Sequence, residues 1–263
     1  MVSLTLLQQV LAVFSGMLVG FTLGLIGGGG SILAVPLLLY LVGYQNPHVV
    51  IGTTALAVAL TAYINLIPHW RASNVRWKPA IAFAIPGVIG AVIGAQLGKI
   101  FPGKQLLFLF AILMIGVAIS MLRPRKARIE KPMRTGMAQY ARTTPVGFFV
   151  GALSGFFGIG GGFLIVPGLM FATDMTLINA IGSSLFSVGM FGTTTAITYA
   201  LSGLVNWVIA LEYIAGGVLG GLLGARLAGR LSAQKKTLNY IFAGVVIVVA
   251  IYMLYVNITA IHL

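Results

Sequence analysis

Ten apolar stretches, at residues 3–26, 31–43, 49–69, 79–98, 105–122, 144–157, 163–173, 176–200, 207–229 and 237–258, occupy most of this 263-residue chain. Several approach the length of about 20 residues that a helix needs to cross the hydrocarbon of a bilayer. A water-soluble domain carries about 25% charged residues. This chain carries 7%, and its only acids are Glu130, Asp174 and Glu212. Soluble, disordered and disulfide-rich classes are thereby excluded, and an integral membrane protein remains. Short alternating strands do not occur, which argues against an outer-membrane barrel. The opening residues MVSLTLLQQV lack a basic n-region and no small-residue cleavage site follows, so they read as a retained membrane segment. The expected fold is an all-α polytopic membrane protein.

The chain repeats itself. GFTLGLIGGGGSILAVP at residues 20–36 aligns with GALSGFFGIGGGFLIVP at 151–167, an offset of 131. One residue then drops out, and IGTTAL at 51–56 matches IGSSLF at 181–186 at an offset of 130. That offset continues through Trp77 and Trp207 to PGVIGAVIGAQL (86–97) and GGVLGGLLGARL (216–227). Spacing held over so long a stretch marks two homologous halves. The organisation predicted is an N-terminal repeat at 1–122, a basic linker at 123–143 and a C-terminal repeat at 144–263. Each repeat reads as a Gly-broken helical hairpin followed by three transmembrane helices.

Parity fixes the expected orientation of the halves. If each interrupted pair enters and leaves on one side, every half crosses an odd number of times and the second half is inverted. With the middle linker inside, 14 of the 16 basic residues are then cytoplasmic, leaving Lys99 and Lys104 outside. If each interrupted pair crosses once as a single broken helix, the halves are parallel and only ten are inside. The positive-inside rule favours inversion, with the multi-pass chain in the inner membrane and both termini outside. The net charge of +13 thus belongs to loops at a membrane surface rather than to a nucleic-acid site.

The two glycine clusters, Gly27-Gly28-Gly29-Gly30-Ser31 and Gly158-Ile159-Gly160-Gly161-Gly162, are the candidate binding elements. Glycine costs about 1 kcal/mol per residue in a helix interior relative to alanine, so such runs break a helix. Irregular backbone at membrane depth is tolerated only where protein buries it or it lines a cavity. A short apolar helix follows each cluster, bringing free amides and a positive dipole end together, which suits an anion. Broken helices at matching places in two halves point to a transporter's substrate site. The competing reading is close packing through small residues, the one that fits Gly90/Gly94 and Gly220/Gly224. No strand precedes either cluster and no Lys-Ser/Thr follows, so a nucleotide loop is rejected.

Small polar residues offer further ligands: Thr53, Thr54 and Asn65 in one half, Ser183 and Ser184 in the other. For hydroxyls within helices the alternative is bonding back to the helix itself. Glu212 reads as interfacial or as a protonation site, Arg226 as snorkelling to the cytoplasmic surface, and His69, beside Trp70 at a helix end, as interfacial. Cysteine is absent and the three histidines lie apart at 48, 69 and 262, so no metal site, cofactor or catalytic residue is expected. No nucleophile–base pair emerges either, which speaks against an enzyme.

The motifs GLIGGGGSILAVP and GFFGIGGGFLIVP, repeated and joined by a basic loop, resemble the sulfite exporter TauE/SafE family of membrane transporters. The glycine-rich signature falls on Gly27, Gly29, Gly30 and Pro36, and again on Gly158, Gly160, Gly161 and Pro167. The halves differ at Gly28/Ile159 and Ser31/Gly162, so the site need not be symmetric. The resemblance implies a carrier of small sulfur-containing anions, such as sulfite or organosulfonates, across the inner membrane. The expected function is a secondary transporter that exports such an oxyanion, driven by protons as coupling ion or by the anion's own gradient. The alternatives are a transporter of another small solute and a non-transporting membrane scaffold. The partners expected are the small anion and the lipid bilayer.

Overall fold

In hydrocarbon, backbone polar groups must be satisfied within their own segment, and a helix does so. The computed structural model describes residues 5–122, 137–158, 160, 162–230 and 235–258, and contains helices and no strand among the described residues. Helix α1 (Leu6–Ile26) opens on a capping box between Thr5 and Gln8. A return segment follows: a 3₁₀-helix over Gly27–Leu33, a short α-turn α2 (Ala34–Pro36) and a π-helical turn over Leu37–Leu41. Pro36 has no N–H to give to the preceding turn, and the widened winding starts immediately after it. Helix α3 (Pro47–Arg71) begins at Asn46, whose side chain accepts from the Val49 amide, with Pro47 in the first helical position. Then come α4 (Trp77–Ile100) and α5 (Gly103–Leu122).

The second half repeats the order: α6 (Met137–Phe157), α7 (Gly162–Thr173), α8 (Leu177–Ala200), α9 (Trp207–Arg230) and α10 (Lys235–Asn257). Three long helices follow the broken pair in each half, as the sequence predicts. Among the described residues, seven helices are long and apolar enough to cross a membrane: α1, α3, α4, α5, α8, and parts of α9 and α10. Helix α6, the counterpart of α1, begins at Met137, ahead of the apolar run that starts at 144, and carries Gln139, Arg142 and Thr143 in its first turns. Residues 123–136 of the expected linker, and both chain ends, lie outside the described residues.

The helices pair across the halves. α1 packs on α9 and α4 on α6, α3 packs on α8, and α5 on α10. At the repeat offset, α1 corresponds to α6 and α9 to α4, so the first two pairs are the same pair made twice, each with one helix from either half. Glycines make both seams. Gly16, Gly20 and Gly24 of α1 meet the backbone of Tyr213, Gly217 and Gly221 in ascending order, so α1 and α9 run parallel. Gly147, Gly151 and Gly155 of α6 meet Phe83, Gly87 and Ala91 of α4 in the same way. Gly90/Gly94 and Gly220/Gly224 lie against backbone of the facing helix, the packing role expected of them. The α3–α8 pair is different. Arg76, beyond the end of α3, bonds to Ser183 near the start of α8, and Asn206, beyond the end of α8, bonds to Thr53 near the start of α3. The two helices therefore lie antiparallel.

The broken segments fold back. Gln8 Nε2, in the first turn of α1, donates to the Val42 carbonyl at 3.3 Å, so the return segment regains the level at which α1 begins. The 21 residues of α1 rise about 31 Å at 1.5 Å each, close to the hydrocarbon thickness of about 30 Å. Helix α7 turns back on α6, with Gly168 against Val146.

Candidate functional site

Both glycine clusters end a helix and start the chain on its way back. Gly27 closes α1 at φ +78°, and Gly158 and Gly160 follow α6 at φ +68° and +65°. A side chain strains this left-handed region, and glycine does not. The turn is seated against the other half each time: a Cβ on Gly27 would run into Ile181, and one on Gly158 into Ile51, its repeat-equivalent. Gly160 faces Val58 and Val188, each 3.2 Å from where its Cβ would stand. Those valines are themselves equivalent, so Gly160 lies where α3 and α8 cross. The 3₁₀ part of the first return segment packs on α7, the helix that follows the second cluster, and on α8.

The remaining cluster residues differ in room. Gly30 is pressed onto the backbone of Thr22 and Leu23, and its carbonyl accepts from the Thr22 hydroxyl at 3.4 Å. Gly29 is open, a Cβ there meeting only Ile26 Cγ2 at 3.4 Å. Ser31 is buried, and Gly162 is buried at the start of α7. Gly28 belongs to the 3₁₀-helix, while Ile159 and Gly161 lie outside the described residues.

The sequence reading leaves the cluster amides free, but the first cluster winds as a 3₁₀-helix and bonds part of them internally, down to the Ala34 amide donating to the Ser31 carbonyl. Only the leading amides of such a helix lack a partner within it. The amides at the start of α7 are in the same position.

The four paired hydroxyls point to protein. Thr53 Oγ1 accepts from the Asn206 amide at 2.9 Å, and Ser183 Oγ from the Arg76 amide at 2.8 Å. Thr54 donates back to the Val50 carbonyl at 2.8 Å, and Ser184 to the Ile181 carbonyl at 2.8 Å. Their partners for Thr53 and Ser183 are more than a hundred residues away in sequence, which is why spacing alone read them as ligands.

Asn65 is different. It is fully buried in α3, with neither Nδ2 nor Oδ1 hydrogen-bonded, and it abuts Gly221 of α9. Its equivalent, Thr195, is likewise buried with an unbonded hydroxyl. The offset of 130 pairs these two positions, but Thr195 ends a run of three threonines, Thr193 to Thr195, and hydroxyls within a helix ordinarily bond back to it. Tyr213, fully buried in α9, donates to the Ala34 carbonyl at 3.3 Å and so holds the return segment, a role no sequence signal announced. His69 is buried in the last turn of α3, while Trp70 next to it is exposed. Arg226 is exposed and Glu212 half-buried. No group of three His, Cys, Asp or Glu capable of holding a metal occurs among the described residues.

Comparison with known proteins places this arrangement. Residues 12–253 match the family model described as "Sulfite exporter TauE/SafE". A "Probable membrane transporter protein" of Xylella fastidiosa (strain Temecula1) is 52% identical over 253 residues, covering 96% of this chain and 97% of the relative. The "Probable membrane transporter protein YunE" of Bacillus subtilis (strain 168) is 31% identical over 228 residues, covering 79% of this chain and 84% of the relative. An archaeal relative, "Probable membrane transporter protein MJ0441" of Methanocaldococcus jannaschii, is 25% identical over 215 residues, or 80% of this chain. No solved structure matches the chain.

Proposed function

The chain belongs to the sulfite exporter TauE/SafE family, and from that premise we propose that this multi-pass membrane protein is a secondary transporter that exports a small sulfur-containing oxyanion, such as sulfite or an organosulfonate. The observation that carries the reading is a pair of Gly-broken turns at equivalent places in the halves, each seated on an isoleucine of the other half, Gly27 on Ile181 and Gly158 on Ile51, with Gly160 at the crossing of α3 and α8. The leading amides of the first return segment and of α7 bind the anion, because unbonded N–H groups at a helix start favour negative charge. Asn65 supplies a neutral donor whose buried amide has no other partner among the described residues. A neutral site of this kind replaces part of the anion's hydration without holding it so tightly that release fails.

The antiparallel α3–α8 pair and the exchanged helix pairs support halves of inverted topology. In such a carrier, rocking of the halves exposes a midplane site to either side in turn. The basic linker then lies in the cytoplasm, its charges concentrating anions at the entrance, and export runs on a proton gradient or on the anion's own.

The test is flux into proteoliposomes of the purified chain against a panel of sulfite, an organosulfonate, sulfate, a neutral sugar and a monovalent cation. Saturable flux of the first two, suppressed by excess unlabelled sulfite, is the expected result. Flux of the sugar or the cation alone would reassign the substrate, and no flux of any kind would return the chain to the scaffold reading.

A further inference from the structure

The duplicated motif Ile51-Gly52-Thr53-Thr54 and Ile181-Gly182-Ser183-Ser184 does the same work twice, at opposite ends of the molecule. α3 ends with Ser73 in the left-handed region (φ 59°), its amide bonded to the Trp70 carbonyl and the Asn74 amide to the His69 carbonyl. α8 ends identically: Gly203 (φ +70°), its amide bonded to the Ala200 carbonyl and the Leu204 amide to the Tyr199 carbonyl. These are two Schellman caps at equivalent positions. Each cap aims the next carbonyl at a glycine of the other half's motif, Asn74 at Gly182 and Leu204 at Gly52, where a Cβ would collide with it. Two residues further on, the amide that precedes the next helix reaches the motif's hydroxyl: Arg76 to Ser183, Asn206 to Thr53. The motif's isoleucine is the residue on which the other half's helix-breaking glycine rests, Gly158 on Ile51 and Gly27 on Ile181.

One motif thus touches both a loop at the end of the molecule and the tip of a broken hairpin. We propose that the two motifs are reciprocal latches: Ser183 holds the 72–76 loop closed at one end, Thr53 holds the 201–206 loop closed at the other, and transport opens them one at a time. This rests on the alternating-access reading given above. Both bonds are formed in the structure, at 2.8 and 2.9 Å. Lys99 adds a clasp at one end alone, donating to the Thr198 carbonyl at 3.2 Å and to Ser202 Oγ at 2.9 Å. Its repeat-equivalent is Gly229, so the 201–206 end carries the extra hold.

The chain contains no cysteine, so single reporters can be placed without background. Val75 and Val205 are equivalent residues of the two loops. Val75→Cys and Val205→Cys, each in the full-length protein, report opening by their rate of reaction with a maleimide. Ser183→Ala is expected to speed labelling at position 75 by about fivefold, the shift that one net hydrogen bond supports, and to slow it at 205. Thr53→Val is expected to do the reverse, and Lys99→Met to speed position 205 only. Ser183→Thr and Thr53→Ser keep the hydroxyl and keep the parent rates, which separates the bond from general loosening. Rates that stay unchanged, or that rise at both reporters together in either variant, overturn the latch. Flux is scored separately: reciprocal labelling without oxyanion flux leaves the latch standing and the substrate wrong, whereas flux without reciprocity removes the latch alone.

Discussion

A buried polar group left without a hydrogen bond costs about 1–3 kcal/mol, and in hydrocarbon water does not relieve it. Asn65 bears that cost on both amide atoms, while Thr54 and Ser184 avoid it by bonding to their own helices. Replacing Asn65 by an apolar residue of similar shape removes the burden. Asn65→Leu is therefore expected to leave the thermal midpoint in detergent unchanged or raised, while oxyanion flux falls by on the order of tenfold, the worth of one hydrogen bond to a charged ligand. A loss of stability in parallel with flux would make Asn65 a packing residue. At this scale the sequence is readable where a residue's chemistry is rare in its setting, as with an asparagine inside an apolar helix. It misleads where the partner is remote: Thr53 and Asn206 meet across 153 positions, and no local pattern registers that.

Among elements, backbone-to-backbone approach sets the geometry. The parallel seams α1–α9 and α4–α6 depend on glycines spaced four apart, which let one helix backbone rest on the next. Gly220, against the Met17 carbonyl, leaves no room for a side chain, nor does its equivalent Gly90 against Phe148. Gly220→Leu and Gly90→Leu are each expected to destabilise by about 3 kcal/mol or more, at or beyond the usual range for overpacking. Gly116 of α5, with nothing near its Cβ position, is the control and should tolerate leucine. Thermal unfolding of the purified variants measures all three. These seams were legible because GxxxG spacing has one physical use in a membrane. The 3₁₀ and π winding of residues 27–41 was not. Four glycines announce that a helix stops, but how the chain turns is decided by Thr22, Tyr213 and Ile181, which come from three different helices.

For the whole molecule, a repeat offset of 131 and then 130 carries more information than any single motif. It located two halves, and the structure adds how they interlock: each lends a helix to the other's bundle, and each presents its broken turn to an isoleucine of its partner. The antiparallel crossing of α3 and α8 is a property of packing, whereas the orientation of the halves in a membrane is proposed from the charge of the loops. Substrate identity has no such redundancy, because backbone amides favour any small anion. Gly29 gives the cleanest access to the central claim, since its Cβ position is open and its substitution alters the first cluster without forcing the fold apart. The deciding measurement is efflux of radiolabelled sulfite from proteoliposomes bearing Gly29→Leu beside the parent chain, at matched protein incorporation and thermal stability. The account predicts that efflux in the variant drops to the level of protein-free vesicles. Parent-level efflux from the stably folded variant would contradict an anion site at the broken turns.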